Sequence, residues 1–453
     1  MIFSSASFLF AFLPCVAIVY YLLRSRTARN VFLTLVSLFF YAWGEPWFVL
    51  VMLLSIVINW FIALRIGAGG HKKAWLVVGL VCDLGLLAGF KYLGFLMENV
   101  NWIFHLSLPV PQIVLPIGIS FFTFQAISYI IDVYRGDGRV QKSLMNVCLY
   151  ISFFPQLIAG PIVRYQTFDD QITTRRETLD DFCEGIRRFI VGLAKKVLLA
   201  NNLAALADTA FAMQTTELSL VGTWLAAASY MLQLYFDFSG YSDMAIGLAR
   251  MFGFHLLENF NLPFIARSIA GFWKRWHISL TSWFRDYLYF PLGGSRVSKG
   301  RLLFNMGVVW VLTVFWHGAQ WTYLVWGFLF FVLQAFERFS GAGKWLEKHR
   351  IGHLYVFLVV MIASVVSRAD SIPHALDLYR SMFGLDGSAI FDDTARMFLR
   401  EYGAFLVAGV LCCLPVPKRI PDAVRGVGLA AAGFVAITYV VMGSYNPFIY
   451  FNF

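Results

Sequence analysis

A chain of 453 residues that is 59% hydrophobic and only 14% charged lies well outside the roughly one-quarter charged composition of soluble domains. Its apolar residues come in long runs, which excludes the period-two pattern of a β-barrel and leaves membrane-spanning helices of about 20 residues each. The net charge of +10 then reads as Lys- and Arg-rich cytoplasmic loops rather than a nucleic-acid footprint.

The first 26 residues carry no basic leader and no small-residue cleavage site, and predict a retained first span with an external N-terminus. Arg24, Arg26 and Arg29 place the first loop inside. Residues 31–66 form a hairpin through "GEP", residues 74–97 go out, and residues 113–133 return to a basic loop at Arg135, Arg139 and Lys142. The stretch 144–163 is interrupted by Pro155 and Gly160-Pro161 and predicts a broken or re-entrant helix, which is tolerated where protein surrounds it. Spans follow near 190–206 and 219–237. Residues 239–301 are less apolar and rich in aromatic and basic side chains, and are expected to form short helices and loops at the cytoplasmic interface. A tight helix pair, 302–317 and 320–336, precedes a basic stretch. Further spans fall near 352–368, 401–414 and 424–443, around an acidic external segment at 370–398. The expectation is an all-α polytopic membrane protein with about ten to twelve crossings. It is one integral domain over 1–453, with both termini outside.

The six cysteines lie mostly in apolar runs and form no C-x-x-C pair, so they read as buried small hydrophobes. The eight histidines are scattered, without metal-ligand spacing; no metal and no bound cofactor are expected.

Ionisable groups inside spans are costly and mark functional sites by default. Asp83 and Lys91 lie along 74–97; Asp83 reads as an ion site or a paired structural acid, and Lys91 as a snorkelling cation. His317, in "VLTVFWHGAQW", sits roughly 20 Å along its helix at about 1.5 Å per residue, with Gly318 and Ala319 leaving room for another group. It reads either as a core histidine or as a catalyst. The segment 271–296, "GFWKRWHISLTSWFRDYLYFPLGGSR", alternates Lys274, Arg275, Arg285 and Arg296 with tryptophans and places His277 among them. It fits an interfacial helix held by lipid phosphates or a basic mouth for a phosphorylated ligand. In "YFDFSGYSDMAIG", 235–247, Asp237 and Tyr241, and Ser239 and Asp243, are spaced four apart and share helix faces. Gly240 permits close helix contact. These four fit a hydrogen-bonded packing motif as well as direct chemistry.

The segment 273–294 followed by "FWHGAQWTYLVWG" resembles the signature of membrane-bound O-acyltransferases. The stretches 115–136, 153–165, 235–249 and the terminal "GSYNPFIYFNF" (443–453) are similar to the branch that includes the alginate O-acetyltransferase membrane subunit, in order along the chain. The resemblance implies a multi-helix fold with a cytoplasmic funnel, His317 as the essential histidine and His277 at the second polar position. It further implies a bacterial inner-membrane enzyme that passes acetyl groups from a cytosolic donor, acetyl-CoA, to periplasmic hydrolase-like (SGNH) partners serving polysaccharide synthesis and export. Alginate, peptidoglycan, cellulose and teichoic acid are the polymers in view.

Under that reading His317 is the general base, and Lys274, Arg275, Arg285 and Arg296 meet the donor's phosphates. His277, Gln320 or a backbone N–H supplies the oxyanion contact. Two other classes stay open: a proton-coupled transporter using Asp83, Lys91 and His317, and a silent scaffold in an export complex.

Overall fold

The computed structural model describes residues 1–417 and 419–449, and all regular structure among them is helical. The last four residues of the terminal motif, 450–453, lie outside the described residues. Two compact units divide the chain: Met1–Phe189 with Met244–Leu257, and Ile190–Asp243 with Glu258–Phe453.

In the first unit the expected hairpin appears as Arg26–Ala42 and Phe48–Gly67. Ser25 opens it, its hydroxyl accepting the Ala28 N–H at 3.1 Å, the usual way to satisfy an orphan donor. The 144–163 stretch is broken into Leu144–Ser152 and Phe154–Leu157. The amide freed at the break is not wasted, because Phe154 N–H donates to Ser37 Oγ at 3.0 Å. Gly118 starts the Ile119–Arg135 helix with φ +76°, and a Cβ there would meet Leu157 O at 2.8 Å, so both conformation and close approach demand glycine.

A buried polar knot closes this unit. The Arg175 side chain is fully buried over the Phe254 ring and donates to Asn30 Oδ1 at 2.6 Å. Glu177 binds Arg26, Arg29 and the Tyr20 hydroxyl. Burial pushes the Glu177 carboxyl up, but the hydrogen bonds from Arg26 and Tyr20 outweigh it and hold it at about 2.

Five described helices are long and apolar enough to cross a membrane, or six if the pair Trp321–Ser340 and Ala342–Lys348, bent by 85°, counts as one span. The count from apolar runs was ten to twelve. Several other long helices, such as Leu220–Met251, carry polar or charged residues that are buried inside the protein, so their composition alone does not mark them as crossings.

One expectation is corrected. Residues 239–251 do not begin an interfacial loop; they continue a 32-residue helix, Leu220–Met251. The physical reason lies in the second unit. Gly240 lets this helix approach Leu179–Ala212 so closely that a Cβ would come within 2.8 Å of Gly192 O. There Asp237 pairs with Lys196 at 2.6 Å and Asp243 with Lys195 at 2.7 Å. Both lysines open a π-helical turn, Lys195–Ala200. With their charges matched, the helix keeps its polar residues inside the protein and has no reason to end. Beyond it the chain does form short elements: Ile269–Trp273, Ile278–Phe284 and a π turn at Arg285–Tyr289.

Candidate active site

His317 is the last residue of the Lys299–His317 helix, and Trp321–Ser340 starts four residues later. Gly327 sets how tightly this hairpin closes, since any Cβ there would run into Val314. Gly318 plays the same part at the turn, where a Cβ would stand 2.9 Å from the Tyr323 ring. His317 is therefore boxed by aromatics of the returning helix, with ring centres 5.2 Å from Trp326 and 6.3 Å from Tyr323. It is half-buried.

It faces a narrow cavity of about 50 Å³ whose other walls include Met231, Leu234, Phe238, Phe272, Trp273 and Val360. Three larger cavities adjoin it. One, about 590 Å³, is polar and lined by Asp208, Gln233, Gln320, Arg368 and residues 446–449; it shares Tyr230, Tyr323 and Ser367 with the His317 cavity. The other two, about 970 and 1010 Å³, are basic and both are lined by Lys274; they share Phe264 and Trp273, respectively, with the His317 cavity. His317 thus lines a small cavity that shares wall residues with one polar chamber and two basic ones.

His277 lies beside it rather than at an interface. It is 2% exposed, its ring 5.3 Å from Trp316 and 4.6 Å from Phe238, and it lies within electrostatic reach of His317. It holds left-handed backbone, φ 44°, a conformation that costs energy in a non-glycine residue. Asn259 explains why it persists. Asn259 Oδ1 accepts the Ser279 N–H at 3.2 Å, the Ser279 hydroxyl at 2.9 Å and His277 Nδ1–H at 3.0 Å, while its amide donates to Ser242 Oγ at 2.9 Å. A backbone N–H can only donate, so the amide is oriented with oxygen toward Ser279. The proton of neutral His277 must then sit on Nδ1. Its Nε2 is left as a bare acceptor, buried and without a hydrogen-bond partner.

The structure separates the expected basic residues. Lys274 lines both basic cavities, Arg275 one and Arg285 the other. Arg285 also holds Asp286 at 2.8 Å, and Arg275 donates to Asn261 O at 3.0 Å. Arg296 sits on an exposed turn and is not among the residues lining either cavity. Gln320 is exposed and opens on the polar chamber instead of the His317 cavity. Asp237, Ser239, Tyr241 and Asp243 are all buried. Besides their lysines, Asp237 accepts the Ile449 N–H at 2.9 Å and Tyr241 stacks 5.0 Å from Phe448. Lys196 also donates to Pro447 O, so this motif holds residues 447–449 in place as a wall of the polar chamber.

Asp83 and Lys91 belong to the first unit. Asp83 accepts the Asn59 amide at 2.7 Å, and Lys91 reaches Ser120 Oγ at 3.5 Å. Among the described residues no group of three or more His, Cys, Asp or Glu side chains could hold a metal ion.

Asn259, Lys195, Lys196 and Tyr323 were not singled out from sequence. The lysines had a signal, being two adjacent charges within an apolar run. Asn259, in "ENFNLPF", had none.

The model of the membrane-bound O-acyltransferase family matches residues 139–355, a range that contains both histidines and every candidate mouth residue. The chain is 44% identical over 400 residues to the probable alginate O-acetylase AlgI of Pseudomonas aeruginosa, covering 84% of this chain and 75% of that one. It is 38% identical to the protein of the same name from Pseudomonas putida over the whole of both chains. It is 35% identical to the peptidoglycan O-acetyltransferase of Helicobacter pylori over 86% of this chain and 81% of that one. A helical membrane protein with a histidine in a cavity that shares walls with polar and basic chambers, and with these relatives, belongs to the membrane-bound O-acyltransferase family.

Proposed function

We propose that this enzyme takes acetyl groups from acetyl-CoA on the cytoplasmic side of the bacterial inner membrane and passes them outward for O-acetylation of an exported polysaccharide of the alginate type. The observation that carries the reading is that the cavity of His317 shares wall residues with chambers of different character. Lys274, Arg275 and Arg285 suit the phosphates of a nucleotide thioester. The chamber of Asp208, Gln233, Gln320 and Arg368 suits a hydroxyl-bearing acceptor. Outward transfer and periplasmic SGNH-hydrolase-like partners belong to the same proposal by resemblance to the family, and external termini by the basic loops read as cytoplasmic.

The acceptor hydroxyl enters from the polar chamber and the thioester from the basic side. His317 takes the hydroxyl proton as the oxygen attacks the acyl carbon. The C–O bond forms, the C–S bond breaks, and the proton leaves with the thiolate as free CoA thiol. Neutral His277 presents a lone pair rather than an N–H, so it orients a proton instead of stabilising the oxyanion. Tyr323, a phenol lining both the His317 cavity and the polar chamber, is the side-chain donor suited to the oxyanion.

The P. aeruginosa and P. putida relatives favour alginate as the polymer. The H. pylori relative supports peptidoglycan as the second reading. The test uses purified protein in proteoliposomes with radiolabelled acetyl-CoA. Wild type should release CoA and transfer label, and His317→Ala should insert and accumulate normally while losing transfer by about 10²-fold or more. Undiminished transfer by His317→Ala would end the proposal.

A further inference from the structure

Trp326, Phe330 and Glu337 fall on one side of the Trp321–Ser340 helix, since residues four and eleven positions on return to within about 40° at 3.6 residues per turn. That side meets the short helix Ile269–Trp273 at both of its ends. At the C-terminal end Trp273 packs 5.8 Å from Trp326 and 5.2 Å from Phe330. At the N-terminal end the Glu337 carboxylate, 3% exposed, accepts the Ile269 N–H at 2.7 Å through Oε1 and the Ala270 N–H at 3.1 Å through Oε2. Ser268 Oγ takes the next free amide, Gly271 N–H, at 2.9 Å, so the orphan donors of this turn are met. The turn leads from this anchor to Trp273, a wall of the His317 cavity, and then to Lys274, which lines both basic chambers.

A carboxylate buried in an apolar helix is costly. This one also borders the chamber of Lys274, Arg285 and Lys344, where it repels the phosphates that those cations suit. Its use is therefore geometric, and it is not a ligand for the donor. We infer that Glu337 is a positioning residue, which aligns the turn through Trp273 with the His317 hairpin so that a donor held by its phosphates at Lys274 presents its thioester at His317. The inference rests on the acyl-transfer reading above. The far end of the segment has its own hold: Asn261 N–H donates to Arg275 O at 2.9 Å, and the Arg275 guanidinium returns a bond to Asn261 O at 3.0 Å. Losing Glu337 thus frees the start of the turn and lets Trp273 shift against Trp326 and Phe330, while Lys274 and Arg275 stay with their chambers. Phosphate binding survives and alignment at His317 does not.

The test compares wild type with Glu337→Gln, which keeps the shape but turns an N–H donor toward one of the two amides. Turnover of acetyl-CoA in proteoliposomes is read as free CoA thiol per folded enzyme, and adenosine 3′,5′-bisphosphate, the phosphate-bearing end of CoA, serves as inhibitor. In Glu337→Gln kcat should fall about 10²-fold, what a displacement of about 1 Å costs, while the inhibition constant stays close to that of wild type. Glu337→Asp keeps the charge and both acceptor oxygens and should lose less; it also covers the case in which the glutamine variant does not fold. Unchanged kcat in every variant that folds would leave Glu337 a packing role and overturn the inference. So would an inhibition constant that rises in step with the loss of kcat, or failure of both variants to fold. A wild type that turns over acetyl-CoA but is not inhibited by the bisphosphate would place the donor's phosphates away from Lys274 and overturn this inference alone. Failure of wild type to release CoA would overturn the acyl-transfer reading and this inference with it.

Discussion

His277 Nδ1 stands 3.0 Å from Asn259 Oδ1, and the Ser279 N–H bound to the same oxygen fixes which way that bond runs. One backbone amide thereby decides the tautomer of a histidine within electrostatic reach of His317. Asn259→Ala removes the acceptor and frees the imidazole to place its proton on either nitrogen. The acetyl-transfer rate should fall about 10²-fold with donor KM little changed. Asn259→Asp keeps an acceptor for both N–H groups and should lose less. Measured kcat and KM for the two variants check this; equal loss in both would reduce Asn259 to a packing role.

The basic chambers predict a graded effect on donor binding. Lys274→Gln should raise the apparent KM for acetyl-CoA about 3–10-fold, corresponding to roughly 1 kcal/mol for a charged contact in a solvated cavity. Arg285→Gln should do less, because Asp286 already engages the guanidinium. Arg296→Gln, away from both cavities, should stay within about 2-fold of wild type. Steady-state kinetics across donor concentration distinguishes the three, and a dominant effect at Arg296 would place the donor elsewhere.

Lys196 and Asp237, each 3% exposed, form a buried ion pair. Removing one partner strands the other charge, at about 3–5 kcal/mol. Lys196→Met and Asp237→Leu should each lower the thermal unfolding temperature in detergent, and the double variant should recover part of the loss. Tyr241→Ala leaves the pair intact but loosens Phe448. It should leave thermal stability nearer wild type while making residues 446–449 more accessible to protease.

Glu177 supplies a pH-dependent test. Its carboxyl is held at about 2 in the fold against an ordinary value of 4.5, so the folded state binds fewer protons than the unfolded chain in that window. Its stabilisation is complete above pH 4.5 and is lost as pH falls toward 2. Glu177→Gln should be less stable than wild type at pH 7, and the gap should close on acidification below pH 4.5. A gap that does not depend on pH would mean the arginines are held by other partners.

Much of this fold was legible because a bilayer simplifies the code. Apolar runs, glycine-proline breaks and basic flanks marked the helix pairs, and Pro155 and Gly160 marked the interruption. The 239–251 stretch reads as interfacial because it is less apolar than the spans; the structure keeps it helical by bringing Lys195 and Lys196, more than forty residues earlier, beside Asp243 and Asp237. His317 stood out as an imidazole in an apolar run. Asn259 did not, because asparagine in a polar loop is ordinary, and its role exists only once the chain turns back through Ser279. Arg296 shows the converse: position in a basic aromatic segment does not say which side chains reach a cavity.

The clasp on residues 447–449 has a bearing on biogenesis. Asp237 binds the amide of Ile449 across 212 residues of sequence, and Lys196 and Tyr241 hold the same segment from equally far upstream. A nascent chain already embedded in the bilayer, with His317 in place, therefore still has an unfinished chamber. That wall of the chamber is assembled only once the chain has been made through Ile449 and has folded back onto the Leu220–Met251 helix.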